Sequence, residues 1–193
     1  STSRRQRQMC IRDSGQNRFP CDIGDFNSDT FVYIAAFGLF TEVSYKTSQQ
    51  LKNIFGHVAY IMEGVKQLRD IPSFRMQVEY DGKVFQDEFI YGMVTNSVSV
   101  GGFKGMTGND VKLDDGLFEV TLIRNPKNPI ELNEILACLT NMIDDSDLIY
   151  SFKTDAVHIT AKEEVPWTLD GEFGGAHREV VIRNLKQRVE IFC

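Results

Sequence analysis

The chain of 193 residues carries 27 acidic and 21 basic side chains, and 42% of its residues are hydrophobic. This is the composition of a globular protein, and the length suits one domain with its own core but excludes a large two-domain enzyme. No apolar run approaches the roughly 20 residues that a membrane span requires, and the net charge of -6 argues against nucleic acid as the main partner.

The cysteines and histidines are scattered along the chain and form no metal-ligand motif. No CxxC pair is present, so we expect free thiols of a reducing, cytoplasmic compartment rather than a disulfide framework or a zinc site. The residues concerned are Cys10, Cys21, Cys138 and Cys193, together with His57, His158 and His177.

Residues 1–17 are expected to lie outside the fold. Residues 1–14 hold four arginines and one aspartate without apolar periodicity, which is typical of a disordered tail or of a tail that contacts anionic lipid headgroups. The string RRQRQMCIRDS also resembles a translated sequencing-adapter peptide, so we expect this basic tail to be non-native or disordered. The domain is therefore predicted to span residues 18–193.

The first predicted elements are a buried strand, a helix and a hairpin. The aromatic-rich run FVYIAAFGLF over 31–40 is typical of a strand buried on both faces. A capping box at Thr47 precedes an apolar stripe at helical spacing, and Pro72 ends this helical region. Alternating apolar residues over 74–80, followed by an Asp-Gly pair, predict a strand and a tight type I′ turn.

The second half is predicted to be antiparallel strands with one further helix. The return strand begins at Lys83 with a break near Gly92, and a glycine-rich loop follows over 101–116. Asn128 caps a helix that begins at Pro129. Further strands are expected at 117–123, 148–152, 157–161, 180–182 and 189–191. The predicted fold class is mainly β (α+β), an antiparallel two-sheet β-sandwich-like domain flanked by two α-helices.

Two adjacent carboxylates lie in the segment KLDDGLFEV over 112–120. Acids beside a glycine turn can hold a hard cation together with carbonyl oxygens of the turn. The alternative is an ordinary Asp-Gly turn with solvated acids, and the spacing alone favours it because no full calcium-loop pattern is present.

The densest group of site-like residues is WTLDGEFGG over 167–175. Asp170 and Glu172 are two positions apart, so on an extended segment their carboxylates are expected to point the same way. One acid can then organise a metal-bound water while the other accepts a proton. A polar turn is the structural alternative, and the spacing leaves both open.

The polar run TNSVSVGGF over 95–103 leaves a strand and enters the glycine-rich loop. Asn96, Gly101 and Gly102 are candidates for binding a substrate hydroxyl or phosphate. The sequence contains no GxxxxGK[ST] phosphate loop, no GxGxxG and no GxSxG nucleophile elbow.

Taken together, four motifs resemble the bacterial diacylglycerol kinase family, the soluble lipid-kinase group related to sphingosine and ceramide kinases. They are CDIG at 21–24, VTNSVSVGGF at 94–103, KLDDGLFEV at 112–120 and WTLDGEFGG at 167–175. The resemblance covers roughly Phe19 to Phe192 and includes the order and spacing of the motifs. It implies a C-terminal domain of antiparallel sheets, without the N-terminal domain that binds ATP through a Gly-Gly-Asp-Gly-Thr loop.

The resemblance also implies roles for individual residues. Glu172 matches the proton acceptor for the lipid hydroxyl, and Asp170 matches the neighbouring acid that reaches the catalytic Mg²⁺ through water. The LDDG loop matches a structural Mg²⁺ site, in which Asp115 gives a carboxylate while Lys112 and Leu117 give backbone carbonyls. The stretch GGFKGMTGND before this loop departs from the proline-containing stretch of many members, which puts the local loop shape in doubt.

The implied activity is transfer of the γ-phosphate of ATP to a lipid hydroxyl, with diacylglycerol expected first and a sphingosine-like long-chain base as the alternative. Mg²⁺ is the implied cofactor, and ATP is the co-substrate, bound mainly by the missing N-terminal domain, so we expect the isolated chain to be inactive. The expected partners are that domain and a lipid substrate at the membrane surface, which the protein reaches peripherally. A homodimer and a non-catalytic lipid-binding or regulatory β-sandwich stay open.

Overall fold

A computed structural model describes residues 18–39, 71–97, 111–139 and 146–192. The strands of this part are β1 Arg18–Phe26, β2 Asp29–Phe31, β3 Ile34–Gly38, β4 Phe74–Tyr80, β5 Lys83–Thr95, β6 Phe118–Arg124, β7 Ile149–Thr154, β8 Ala156–Leu169 and β9 Glu172–Phe192, and the helix α1 is Pro129–Leu139. The predicted mainly β class is confirmed. The basic tail and the helix predicted from Thr47 lie outside the described residues.

All the described strands belong to one antiparallel sheet in the order β2-β1-β9-β8-β3-β5-β6-β7. β3 and β4 lie end to end in the gap between β5 and β8, because each of them pairs with both neighbours. The chain leaves this gap at Gly38 and returns to it at Phe74. The described strands are therefore hydrogen-bonded into one sheet, not into the two separate sheets that were predicted.

The sheet curls so that its two ends meet over a common core, which gives it a sandwich-like form. Phe31 of β2 packs against Phe118 of β6, with ring centroids 5.5 Å apart, although the two strands lie near opposite ends of the strand order. The buried Trp167 lies between Phe26 and Phe37, at centroid distances of 5.2 Å and 4.8 Å. These aromatic contacts join β1, β3 and β8 inside the curled sheet.

The helix α1 covers the outer face of the sheet. Ile135 and Leu139 pack with Met93 and Ile123 in a second apolar cluster, while Leu122, the neighbour of Ile123, belongs to the inner core. This alternation is that of a strand whose two faces are both covered. No helix in the described ranges is long and apolar enough to cross a bilayer.

The start of α1 confirms the predicted cap. Asn128 Oδ1 accepts the N–H groups of Ile130 and Glu131, each at 3.0 Å. The Glu131 carboxylate accepts the Asn128 side-chain amide at 2.8 Å and the Lys127 N–H at 2.7 Å. The N–H groups of the first helical turn have no acceptor within the helix, and here side chains accept from them instead.

Two predictions for the central strands are wrong. The run 31–40 is not one strand, because the chain bends at Val32 and Tyr33 between β2 and β3. β5 continues without a break through Gly92, where a Cβ would lie 2.2 Å from the ring of Phe37. This glycine therefore allows close packing of an aromatic ring rather than a turn.

β8 and β9 are much longer than the short strands that the sequence predicts. The segments predicted at 157–161, 180–182 and 189–191 are parts of these two strands. The β8–β9 pairing shifts register between Thr160 and Val165. Such a bulge interrupts the alternation of apolar residues, which is the signal that a sequence offers for a strand.

Candidate functional site

Asp170 and Gly171 form the two-residue turn between β8 and β9, in which Leu169 pairs with Glu172. Their φ angles are 52° and 91°, and a type I′ turn requires positive φ at both positions. The Asp-Gly pair at 81–82 closes the β4–β5 hairpin in the same way, as predicted. Because Asp170 is a turn residue, the chain is not extended from Asp170 to Glu172, so the geometric reason for expecting the two carboxylates to point the same way does not hold.

The carboxylate of Asp170 accepts three hydrogen bonds from the bend between β2 and β3. Its Oδ1 accepts the N–H groups of Tyr33 at 2.8 Å and Ile34 at 2.9 Å, and its Oδ2 accepts the N–H of Val32 at 2.8 Å. The Asp170 N–H donates to the Ile34 carbonyl at 2.8 Å. Hydrogen bonds to an ionised acceptor are the stronger kind, so Asp170 fixes the bend against the hairpin and interrupts the predicted single strand.

Glu172 begins β9, and its exposed side chain makes no hydrogen bond within the described part of the chain. It lies at the wall of an open surface cavity of about 650 Å³. The cavity is lined by Asp29, Thr30, Leu169, Asp170, Glu172, Phe173, Gly174, Gly175 and His177. A carboxylate with free lone pairs at the wall of a cavity can accept a proton from a bound molecule.

A bulge lies near the start of β9, where Gly174 and Gly175 together face Trp167 of β8. Gly175 has a φ of 92°, and a Cβ on Gly174 would lie 2.6 Å from the Leu169 side chain. His177 Nε2 lies 2.8 Å from the carbonyl oxygen of Gly174. The positive φ of Gly175 and the closeness of the Leu169 side chain to Gly174 favour glycine at both positions, and the imidazole of His177 holds the bulge through the Gly174 carbonyl.

We expect the neutral ring of His177 to carry its proton on Nε2, because the Gly174 carbonyl at that nitrogen can only accept a hydrogen bond. A long-range ¹H–¹⁵N correlation spectrum at about pH 8, where an ordinary imidazole is neutral, identifies the tautomer. His158, whose Nε2 lies 2.8 Å from the Glu179 carboxylate, gives an internal comparison. A ring of His177 protonated on Nδ1 would contradict the contact.

The LDDG loop leaves a defined set of oxygen atoms without hydrogen bonds. The carbonyl groups of Leu113, Asp114 and Asp115 each accept a hydrogen bond from another part of the protein. Those of Lys112 and Leu117 accept none within the described residues. The Leu117 N–H donates to Asp115 Oδ1 at 3.0 Å, so Oδ2 of that carboxylate has no hydrogen-bond partner among the described residues.

The atoms left over include the oxygens that the family resemblance implies for a structural Mg²⁺ site. Carboxylate and carbonyl oxygens are the ligands that Mg²⁺ prefers, so the donor set of Lys112, Asp115 and Leu117 fits this ion. In the described ranges no cluster of three or more His, Cys, Asp or Glu side chains could hold a metal. A site there has to draw on main-chain carbonyl groups.

Asp22 of the CDIG motif joins the LDDG loop to two strands. Its side chain is 0% exposed, its Oδ2 accepts the Gly116 N–H at 2.6 Å, and its Oδ1 accepts the Gln187 N–H of β9 at 2.7 Å. A buried carboxylate is stable only where hydrogen bonds or charges compensate its lost hydration. Asp22 was not predicted as a site residue; the available signal was an acid between the apolar residues Cys21 and Ile23.

Residues 35–191 match the family model of the YegS C-terminal NAD kinase beta sandwich-like domain. The chain belongs to this family. It is 37% identical to a diacylglycerol kinase of Staphylococcus carnosus over 173 residues, which are 89% of this chain and 55% of that protein. It is 35% identical to a diacylglycerol kinase of Bacillus subtilis over 158 residues, which are 81% of this chain and 51% of that protein.

A solved structure supports the fold independently. The crystal structure of a diacylglycerol kinase from Bacillus anthracis gives a TM-score of 0.62 at 22% identity, over 92% of this chain and 55% of that chain. The chain spans about half the length of the curated relatives it matches. The predicted resemblance to the C-terminal domain of the diacylglycerol kinase family is confirmed.

Within this YegS-type domain, Asn96 anchors the loop. It is 4% exposed, and its side-chain amide donates to the carbonyls of Asp22 at 2.9 Å and Leu113 at 3.1 Å. Its Oδ1 is buried and has no hydrogen-bond partner among the residues that the structure describes. A substrate contact for Asn96 stays a prediction, and Gly101 and Gly102, the other predicted substrate-binding residues, lie outside the described residues.

Buried groups near the loop of the YegS-type domain have altered proton affinities. Burial raises the pKa of the Glu119 carboxyl, and the Lys153 ammonium, 3.2 Å from Oε1, opposes this shift. Burial and then the charges of Asp22 and Asp114 raise the pKa of the Cys21 thiol, which therefore stays protonated. Cys21 and Cys138 form no disulfide in the described part of the chain, while Cys10 and Cys193 lie outside it.

Proposed function

We propose that this chain is the C-terminal half of an ATP-dependent lipid kinase that transfers the γ-phosphate of ATP to the hydroxyl of diacylglycerol. The observation that carries the proposal is the exposed Glu172 carboxylate, which lies at a cavity wall beside the hydrogen-bonded Asp170. Two relatives at 37% and 35% identity bear the name diacylglycerol kinase. Their names support diacylglycerol over a long-chain base.

In the proposed reaction, Glu172 accepts the proton of the lipid hydroxyl while the hydroxyl oxygen attacks the γ-phosphorus of ATP. A bond forms between this oxygen and phosphorus, the bond to the β-phosphate oxygen breaks, and ADP leaves with the bonding electrons. A positioned base contributes about 10²-fold to 10⁴-fold to such a rate. Asp170 holds the hairpin that carries Glu172, and its predicted contact with a metal-bound water is a second part of the proposal.

A Mg²⁺ ion would be held by the carboxylate of Asp115 and the carbonyls of Lys112 and Leu117. When bound, it would supply positive charge, which phosphoryl transfer requires. The chain itself supplies a preformed loop, because Asp22 and Asn96 bind the backbone of this segment.

We expect Mg²⁺ at about ten times its dissociation constant to raise the melting temperature of the chain by about 4 °C. Asp115→Ala should abolish this rise, because it removes the one carboxylate of the donor set. Asp114→Ala is the matched control, since the Asp114 carbonyl remains to bind Gln187. Thermal unfolding followed by circular dichroism measures both, and an undiminished response of Asp115→Ala would contradict the site.

We infer that ATP binds mainly to an N-terminal domain of the longer protein, which is also the main protein partner. Phosphorylation of diacylglycerol by the chain alone, and by the chain joined to the N-terminal half of the Bacillus subtilis relative, tests the proposed function. We expect product only from the joined protein, at the membrane surface and with diacylglycerol preferred to sphingosine. Product from the purified chain alone would reject the inference that ATP binds mainly to the N-terminal domain. Lipid binding without product from either protein would favour a non-catalytic module.

A further inference from the structure

Lys186 of β9 reaches the LDDG loop with its side chain. Its Nζ donates a hydrogen bond to the Asp115 carbonyl oxygen at 3.2 Å. The aliphatic part of the side chain passes Gly116, where a Cβ would lie 3.1 Å from Lys186 Cδ. The glycine therefore leaves room for the lysine stem, and the stem brings a positive charge to the middle of the loop.

The backbone of β9 directs Lys186 toward this loop. The β1–β9 pairing shifts register on either side of Asp22, so residues 186–188 form a second bulge in β9 opposite this one residue. Gln187 has a φ of 52°, and its N–H donates to Asp22 Oδ1 at 2.7 Å. Because a bulge changes the direction of the side chains it carries, the fold determines where Lys186 points.

The peptide group between Asp115 and Gly116 is bound at both of its polar atoms. The Gly116 N–H donates to Asp22 Oδ2 at 2.6 Å, and the Asp115 carbonyl accepts from the Lys186 ammonium. Along the chain, this peptide group lies between the Asp115 carboxylate and the Leu117 carbonyl, two members of the proposed Mg²⁺ donor set. Lys186 therefore lies beside the donor set without belonging to it.

The charge of Lys186 acts on the same residue that a Mg²⁺ ion would use. Asp115 supplies both the carbonyl that binds the ammonium and the one carboxylate of the donor set. An ion on that carboxylate would therefore lie within one Debye length of the ammonium, which is about 10 Å at 0.1 M salt. Two positive charges at such a separation repel each other, and the repulsion is twice as large for a divalent ion as for a monovalent one.

We propose that Lys186 competes with Mg²⁺ for the negative charge of Asp115 and thereby sets the Mg²⁺ affinity of the LDDG loop. This inference rests on the cation site of the proposed function. At low Mg²⁺ concentration the ammonium is the counter-charge of Asp115 and holds the loop to β9. At high Mg²⁺ concentration the ion takes over this role, and the exposed, flexible lysine side chain turns into solvent.

Removal of the lysine charge tests the competition. We expect Lys186→Met to lower the Mg²⁺ dissociation constant of the chain about threefold at about 0.1 M salt, as measured by isothermal titration calorimetry. Lys186→Arg keeps the charge and should bind Mg²⁺ like the unchanged chain. Raising the salt to about 1 M shortens the Debye length to about 3 Å, so the difference between Lys186→Met and the unchanged chain should largely disappear.

Lys162→Met is the matched control, because it removes the same charge from an exposed position on β8. Lys162 lies two residues after Thr160, which pairs with Glu179 of β9. Glu179 in turn lies seven residues before Lys186 on the same strand, a separation of roughly 20 Å. Lys162→Met should therefore leave the Mg²⁺ dissociation constant unchanged.

Four outcomes would overturn the inference. They are an unchanged or weaker affinity of Lys186→Met, an equal gain in Lys162→Met, a gain that persists at about 1 M salt, and no binding of Mg²⁺ by the unchanged chain. Circular dichroism confirms that the variants are folded.

The same measurements separate this inference from the proposed function. Mg²⁺ binding that is lost in Asp115→Ala but unaltered in Lys186→Met would reject the competition and leave the proposed cation site standing. A joined protein that has no kinase activity, together with the expected gain in Lys186→Met, would reject the proposed function and leave the competition standing.

Discussion

Replacing Asp170 by alanine should lower the free energy of unfolding by about 3 kcal/mol, because three backbone N–H groups lose an ionised acceptor. A second cost arises because Asp170 has a φ of 52°, which alanine tolerates less well than aspartate or asparagine. Asp170→Asn should lose less, about 1 to 2 kcal/mol, since its amide oxygen can still accept from Tyr33 and Ile34. Urea denaturation followed by circular dichroism measures these differences.

Glu172→Ala is the control for this prediction. Glu172 is exposed and makes no side-chain hydrogen bond within the described part, so its replacement should change the free energy of unfolding by less than about 0.5 kcal/mol. The hydrogen bonds of Asp170, which Glu172 lacks, predict that the two variants differ in stability. Equal stability of the two variants would show that the contacts of Asp170 contribute nothing to the fold.

Asp22→Ala should be the most destabilising substitution at the LDDG loop, at about 4 kcal/mol. Both oxygens of this fully buried carboxylate accept short hydrogen bonds, at 2.6 Å from Gly116 and 2.7 Å from Gln187. Alanine leaves these two N–H groups without their acceptor and a cavity where the carboxylate was. The loop and β9 lose their shared contact at the same time.

Asp25→Ala is the matched variant on the same strand. Asp25 lies three residues after Asp22 and accepts one N–H, from Ser28 at 3.1 Å, so its loss should cost about 0.5 to 1 kcal/mol. Asp22→Ala should also speed cleavage by trypsin after Lys112, because the loop opens locally. If Asp22→Ala is no less stable than Asp25→Ala and no more sensitive to trypsin, the anchoring role assigned to Asp22 is wrong.

The elements that the sequence predicts well are those with local causes. The cap of α1 depends on Asn128 and Glu131, three positions apart, and the turn at 81–82 depends on two adjacent residues. The bend at 32–33 has a distant cause, since Asp170 lies 137 residues after Tyr33. A pattern of apolar residues contains no information on such a contact, and the run was therefore predicted as one strand.

The candidate site also has parts that the sequence predicts and parts that depend on distant contacts. Its acids were identified from their clustering and from the family resemblance, but their relative orientation depends on the turn at Asp170, which ends the extended segment. The partners of Asp22 lie 94 and 165 residues away along the chain, at Gly116 and Gln187. Only folding of the sheet brings them together, so the sequence could not give Asp22 its structural role.

The most direct test of the proposed kinase is the turnover number of Glu172→Gln in the chain joined to an ATP-binding half. The amide keeps the size of the side chain but cannot accept the proton of the lipid hydroxyl. We expect kcat for diacylglycerol phosphorylation to fall by about 10²-fold to 10⁴-fold, with an unchanged melting temperature. A kcat within about tenfold of the unchanged joined protein, below the contribution expected of a general base, would contradict the role of Glu172 and with it the central claim.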